Sequence, residues 1–448
     1  MANWRGRFRR QKQQLLHPLL EKHLGGPCHH AQTISHKLKP TERVGLQLEL
    51  DDWLASDPDN ARLIGYAAGR FSFTAGLAQM VVNDDIVLAP VQREHLARSA
   101  DEDLDCVKQG LYLLRHESIP VVVNVHAEES FRQSPALEVM ARERKPAQAA
   151  LSGLLKRANS RDVYKGKCIS LETEGDYSHR EVAIRFHRLV PTARELIVLP
   201  EQVLQVVERN VLGLLKHGET LRQSGRGTRH GVLLHGKPGT GKTLMVRYLA
   251  QASPEHTIIL LTGRQLGLIR ESCQIARLLA PSMVILEDID LIAEERSQNK
   301  CAGLLHELLD EMDGIGPKAD CIFLLTTNRA EILEPALAAR PGRVDQAVEF
   351  PLPDEICRQR LFELFGRGLN LESVDLSRWV GQTDGVSPAF VEELLRKAAL
   401  LAAERGEMAR PLKITDADIE VAIKELVFFG GELTQRLLGY RTAKLGYR

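Results

Sequence analysis

Residues Gly236–Thr243 read Gly-Lys-Pro-Gly-Thr-Gly-Lys-Thr, and no other stretch of the chain constrains its fold as tightly. Glycines at these offsets let the backbone turn sharply and aim its N–H groups into one concavity, which suits phosphate oxygens. The spacing fits the G-x-x-x-x-G-K-[ST] phosphate-loop pattern. In that pattern Lys242 sets a point charge on the outer phosphates and the Thr243 hydroxyl is a hard oxygen ligand for Mg²⁺. The predicted nucleotide-binding set is Gly236, Lys237, Pro238, Gly239, Thr240, Gly241, Lys242, Thr243 and Leu244. The flanks agree. Gly231-Val232-Leu233-Leu234-His235 is a short apolar run, as a buried parallel strand should be. Beyond the loop, Leu244, Val246, Leu249 and Ala250 recur at helical spacing, so a helix N-terminus faces the phosphates.

A chain of 448 residues holds two to three domains. Acidic and basic residues balance at 59 each, so no global charge argues for nucleic acid or membrane. Seven scattered cysteines without a C-x-x-C pair suit a reducing compartment. Neither a membrane-length apolar run nor a secretory signal is found, and the expected location is cytoplasmic. One local bias exists: Arg5, Arg7, Arg9, Arg10 and Lys12 precede the first acidic residue, Glu21. It suits a nucleic-acid arm, an amphipathic anchor, a targeting segment or a solvated terminus, and the last is the default.

The pattern predicts five regions: a basic flexible arm over 1–45, an α+β domain over 46–195, a large α/β domain over 196–352, a helical subdomain over 353–428 and a tail over 429–448. In the second region Val81-Val82, residues 85–88, 121–125 and 182–186 read as strands, and 104–114 and 136–144 as helices. Pro200 opens a helix with an apolar stripe from Val203 to Leu215. Short apolar runs at 257–261, 283–286, 321–325 and 347–350 then alternate with helical patterns, which predicts a parallel sheet with helices on both faces. After Pro351 and Pro353 only helices are expected, over 356–365, 388–405 and 415–426. Cys28-His29-His30 with His23 and His36 fits no common zinc spacing and reads as a loop.

A second constellation follows the phosphate loop. Ser282–Asp290 is an apolar strand that ends in Glu287, Asp288 and Asp290. Carboxylates at the exit of a central strand are costly unless they meet a cation or a reacting water. One acid would hold the Mg²⁺ shell and the next would polarise the attacking water. Another strand ends in Thr326-Thr327-Asn328-Arg329, where an amide could orient that water. Arg340-Pro341-Gly342-Arg343 sets two guanidinium groups around a rigid turn, a donor pair suited to phosphate charge.

Together these stretches resemble the Walker A, Walker B, sensor 1 and arginine-finger elements of an AAA-family ATPase, over about residues 196–428. Glu311-Met312-Asp313-Gly314 and Gly385–Ala389 are similar to further family stretches. The resemblance implies ATP and Mg²⁺ as cofactors, with Thr243 and Glu287 at the metal. It implies catalytic roles for Glu287, Asp288 and Asn328, with Arg340 and Arg343 acting in trans on a neighbour's nucleotide. It also implies a ring, most often a hexamer, whose helical subdomain moves with nucleotide state.

Two departures matter. The family order is Asp then Glu, whereas this chain has Glu287 then Asp288, which resembles the subgroup that includes the mitochondrial respiratory-complex assembly chaperone. Asp288 is one methylene, about 1.5 Å, shorter than the usual base, so slow hydrolysis is expected. Where protein-threading members carry a pore aromatic, Thr262–Ile269 has none; Leu266, Leu268 and Ile269 either grip as aliphatics or pack in the core. The leading expectation is an ATP-hydrolysing ring that remodels a protein client chosen by residues 46–195. The alternatives are an ATP-gated scaffold with slow hydrolysis and, less favoured, a nucleic-acid-associated ATPase.

Overall fold

The computed structural model describes residues 15–67, 76–83, 85–127, 135–174, 181–228, 230–290, 307–312, 320–331, 344–406 and 410–429. The basic segment Arg5–Lys12, the arginines Arg340 and Arg343, and the 430–448 tail lie outside the described residues. Two compact units divide the chain: residues 1–164 with 171–187, and residues 165–170 with 188–448.

The first unit is built on an antiparallel sheet. Its strands are β1 (Gln32–Lys37), β2 (Arg62–Ala67), β3 (Val87–Ala89), β4 (Gln92–Ala97), β5 (Asp103–His116), β6 (Ile119–Ala127) and β7 (Pro135–Ala141). They run in the order β1-β7-β6-β5-β2-β3, and β4 also pairs with β5. Its helices are α1 (His17–Leu24), α2 (Pro40–Ser56), α3 (Leu77–Val82) and α4 (Arg144–Asn159). Side chains alternate across the sheet. Tyr112, Leu114, Val121, Val123, Leu137 and Val139 pack with α2 and α4. Leu111, Leu113, Val122 and Met140 pack with α1 and α3.

That two-sided cover explains where sequence patterning misleads. Residues 104–114 and 136–144 were expected to be helical, yet they form β5 and β7, with α4 starting only at Arg144. A strand buried on both faces loses the polar alternation that marks strands. Val81-Val82, expected in a strand, forms the last turn of α3. The expected loose arm is also corrected from residue 15 onward. Leu16, Leu20 and Leu24, at four-residue spacing, are buried in the core, and β1 pairs with β7.

Gly45, in the middle of α2, marks the closest approach of α2 to α4: a Cβ there would sit 2.4 Å from the Ala158 carbonyl oxygen.

The second unit carries the α/β sheet. Its described parallel strands are Cys168–Ser170, the start of β8 (Cys168–Glu174), then β10 (His230–His235), β11 (Thr257–Leu261), β12 (Ser282–Leu286), β13 (Cys321–Thr327) and β14 (Gln346–Glu349); β9 (Glu181–Phe186) belongs to the first unit. The order is β14-β10-β13-β12-β11-β8. Helices α5 (Glu201–Glu208) and α6 (Leu214–Gln223) join through a π turn at Arg209–Gly213. Helix α7 (Lys242–Gln251) follows the phosphate loop, and α8 (Ile269–Leu278) precedes β12. Val232, Leu234, Met283, Ile285, Ile322 and Leu324 share a core with α5 and α7. On the opposite face Leu233, Val284, Leu286 and Phe323 are buried, and α8 buries Ile269, Cys273 and Ala276. The expected parallel sheet with helices on both faces is therefore present.

The helical lid comprises α9 (Glu355–Phe365), α10 (Leu376–Gln382), α11 (Pro388–Glu404) and α12 (Asp416–Lys424), around Phe362, Trp379, Phe390 and Leu394. The expectation of helices alone after Pro353 is corrected by two-residue strands, β15 (Leu369–Asn370) and β16 (Leu412–Lys413), which pair in parallel and stitch the lid together. Each helix start is capped where the sequence offers an oxygen. Asp354 accepts from the Cys357 N–H at 2.7 Å, Ser387 from the Phe390 N–H at 3.3 Å, and Thr415 from the Asp418 N–H at 3.4 Å. Among the described residues no helix is long and apolar enough to cross a membrane.

Because the α2–α4 crossing at Gly45 has no room for a methyl group, Gly45→Ala is expected to destabilise the first unit by about 1–3 kcal/mol. Thermal and denaturant unfolding would read this, with the lid variant Ala399→Gly as a control outside that unit.

Candidate functional site

Three parallel strands deliver the polar residues. β10 lies between β14 and β13, and β12 lies beyond β13, with Leu234 opposite Thr326 and Leu286 opposite Leu325. The chain leaves β10 toward β11 and leaves β13 toward β14, in opposite directions along the sheet, so a crevice opens between the carboxyl ends of β10 and β13.

The phosphate loop turns between β10 and α7. Gly236 has φ +151°, and a Cβ there would meet the Phe350 carbonyl oxygen at 2.4 Å. At Gly239, φ is +75° and a Cβ would meet Ser387 Oγ and Ala389 Cβ at 2.9 Å. Glycine at these two positions is thus required by close approach as well as by backbone sign. Ala389 N–H donates to the Gly239 carbonyl at 3.3 Å, which docks the start of α11 on the loop. Gly241, with φ +96°, caps α7, and Thr240 Oγ1 donates to the Lys237 carbonyl at 2.8 Å. Lys237 and Pro238 are exposed, and Leu244 is half-buried against the sheet core.

Lys242 is 6% exposed, and its Nζ donates to the carbonyls of Gly236 and Lys237, both at 2.9 Å. Burial pulls its pKa down to about 8, against the opposing field of Asp288 and Asp290. The cost of burying a lone ammonium is what makes such a lysine a strong anion site.

The acids follow β12. Burial pushes the Glu287 carboxyl above its ordinary range and the Asp288 charge adds to this, while Arg247 and a hydrogen bond from Thr243 oppose it. Glu287 and the exposed Thr243 hydroxyl therefore form one cluster of hard oxygens, a donor set that suits Mg²⁺. Asp288 is exposed and has φ +53°, a left-handed conformation that aspartate tolerates better than most residues. Its N–H donates to Thr326 Oγ1 at 3.0 Å, and its Oδ1 accepts from Asn328 Nδ2 at 3.0 Å. The sequence-identified acid and amide are thus brought into direct contact.

Asp290 and Thr326 were read in the sequence only as members of strand-end runs, with no role of their own. Asp290, 6% exposed, accepts from Thr327 Oγ1 at 2.9 Å and from the Asn328 N–H at 3.2 Å. It holds the amide strand end in place, and Thr326 does the same for Asp288. Asp290 stands in the same acidic run as Glu287, which was its only sequence signal. In the stretch after β11, Leu268 and Ile269 are buried, so for these two the core position is observed, and the Leu266 side chain lies outside the described residues. The weaker histidine candidates disperse: His23 Nε2 is hydrogen-bonded to the Leu114 and Val121 carbonyls at 3.1 Å, and His36 pairs with Glu42 at 3.0 Å.

Comparison with known proteins points the same way. The profile of the "ATPase family associated with various cellular activities (AAA)" matches residues 232–352. The chain is 34% identical over 244 residues to the 26S proteasome regulatory subunit 4 homolog B of Arabidopsis thaliana, covering 51% of this chain and 54% of that protein. It is 36% identical over 217 residues to the proteasome-activating nucleotidase of Methanopyrus kandleri, covering 45% and 48%. Identity to the 26S proteasome regulatory subunit 8 of Caenorhabditis elegans is 30% over 291 residues, covering 58% and 68%. The chain spans about half the length of most of these relatives.

The Lys242 charge gives the site a pH signature. Anion binding that needs the ammonium is nearly full at about pH 7 and is lost as pH rises through about 8. Moving from about pH 7 to about pH 9 should weaken ATP binding roughly tenfold through this group alone. Calorimetric titration at both pH values reads it; an affinity that stays flat would mean that Lys242 does not carry the phosphate charge.

Proposed function

The chain belongs to the AAA family of ATPases, and we propose that it is an ATP-hydrolysing ring subunit that remodels a protein partner or complex. The observation that carries this reading is the contact of Asp288 with Asn328 beside the buried Lys242. In this reading the loop 236–241 wraps the phosphates with backbone N–H groups, and Lys242 Nζ exchanges its two loop carbonyls for phosphate oxygens. Thr243 and Glu287 would hold Mg²⁺, which when bound neutralises phosphate charge and orients the terminal phosphoryl group. Asp288 takes the proton of the attacking water, and Asn328 fixes both the water and the Asp288 carboxylate. Asp290 is a positioning residue, since its contacts are to Thr327 and Asn328. By the family resemblance Arg340 and Arg343 reach a neighbour's nucleotide, which makes a lone subunit an incomplete enzyme.

The docking of Ala389 on Gly239 supports a lid that responds to what the loop binds. A change in loop geometry is passed directly to α11, and rotation of the lid would then move the client. The client-selecting role falls to the first unit, whose antiparallel sheet carries no phosphate loop. The names of the relatives refer to the proteasome, and a protein client is accordingly the favoured partner class.

A second reading is favoured by two observations. The base is the shorter acid, Asp288, and Leu268 and Ile269 are buried where a gripping loop would expose them. Both suit a ring that uses ATP binding to assemble and hydrolysis as a slow timer. Steady-state hydrolysis against protein concentration tests both readings. A specific rate that climbs and saturates supports sites completed between subunits. A turnover above roughly 1 per second per subunit supports the motor, and one orders of magnitude lower supports the timer. A specific rate independent of concentration, or one unchanged when Arg340→Ala/Arg343→Ala subunits are mixed in, contradicts the shared site.

A further inference from the structure

Far from the nucleotide residues in sequence, three metal-ligating side chains of the first unit converge. His17 and Glu21 stand one helical turn apart on α1, and so share a face. The chain then reverses: Gly25, with φ +72°, ends α1, and Pro27 leads into the short 3₁₀ turn Cys28–His30. That reversal returns Cys28 to the same helix face. Cys28 Sγ lies 3.1 Å from His17 Nε2, and the candidate ligand atoms of His17, Glu21 and Cys28 all lie within 4.8 Å of one another. Cys28 is fully buried, while His17 and Glu21 are half-buried.

We propose that His17, Glu21 and Cys28 form a three-ligand site for a divalent transition-metal ion of the zinc type, with a solvent molecule as fourth ligand. The ligand set is one thiolate, one imidazole and one carboxylate, which together suit Zn²⁺ and exclude Mg²⁺ and Ca²⁺. In a tetrahedral zinc site the ligand atoms stand about 3.5 Å apart, so side-chain torsions alone bring these three into range. The thiol proton leaves to solvent as the metal–sulfur bond forms, and the imidazole binds in its neutral form. The two half-buried ligands give the ion a route to solvent and leave the fourth position wet.

The supporting framework is already rigid. Leu16, Leu20 and Leu24 fix α1 on the sheet, and Glu21 accepts the Gly25 and Gly26 N–H groups through its backbone carbonyl at 2.9 and 3.1 Å. His23, the other α1 histidine, is held by its two backbone carbonyls and stands outside the site. His29 and His30 are exposed, with rings 4.1 Å apart, and complete no triad with Cys28 among the described residues. The site thus uses the cysteine of the Cys28-His29-His30 run with partners that lie upstream of it. Bound metal would tie α1 to the 3₁₀ turn, clamping the first unit at a point unrelated to nucleotide.

Cobalt(II) titration of the full-length, nucleotide-free protein tests this. The expected result is one Co²⁺ per chain with a thiolate-to-metal charge-transfer band and the visible bands of tetrahedral cobalt, displaced by Zn²⁺. The band should vanish in Cys28→Ser and persist in Cys106→Ser, a buried cysteine of the same unit. His17→Gln and Glu21→Gln change half-buried side chains and leave the core intact; each should weaken cobalt binding by about tenfold or more. Zn²⁺ should also raise the thermal midpoint of the wild type and not of His17→Gln. Absence of a charge-transfer band in the wild type, or the same band and affinity in His17→Gln and Cys28→Ser, would overturn the proposal.

Discussion

The buried carboxylate of Asp290 ties the ends of β12 and β13 together, and the geometry of the nucleotide site depends on that tie. A buried carboxylate is costly unless several donors satisfy it. Asp290 finds them at the end of β13, in the Thr327 hydroxyl, and just beyond it, in the Asn328 N–H. Thr326 returns the favour by accepting from the Asp288 N–H. These bonds set where the chain leaves each strand, and so place the Asn328 amide against the Asp288 carboxylate. The neighbouring pairing of β10 with β13 brings the phosphate loop to the same edge.

The same tie gives a physical account of Asp288. Following β12 in this register requires a left-handed backbone at the residue whose N–H meets Thr326. Among non-glycine residues, aspartate and asparagine adopt that conformation most readily. The short acid is therefore well matched to its backbone, and its reduced reach is offset by the amide held beside it. Glu287, one residue earlier and half-buried, is the longer side chain and reaches Thr243. In the proposed reading, the reversed acid order gives the long carboxylate the metal side and the short one the water side.

Legibility in the sequence followed locality. The phosphate loop was readable because backbone phosphate binding needs glycines at fixed offsets, and Gly236 and Gly239 do meet neighbours that admit no side chain. Three lid helices were readable because helical patterns follow Pro351 and Pro353, whereas the short α10 and the two-residue β15–β16 pair left too little periodicity to show. The positioning roles of Asp290 and Thr326 were not readable, since their partners lie nearly 40 residues away in sequence and meet only through strand pairing. In the first unit, β5 and β7 read as helices because both faces of their sheet are covered. The folded segment from residue 15 was hidden by the charge bias before it, although Leu16, Leu20 and Leu24 carried the helical period.

The claim at the centre of this account is that Asp288 handles the attacking water while other residues hold the nucleotide. Asp288→Asn keeps the side-chain volume, the left-handed preference and a hydrogen-bond partner for Asn328, and removes only the basicity. Measuring ATP affinity and steady-state turnover on this one variant separates the two roles. Affinity within about threefold of wild type with turnover reduced about a hundredfold or more is the predicted result. Turnover left near the wild-type level would contradict the account and move the base elsewhere in the site.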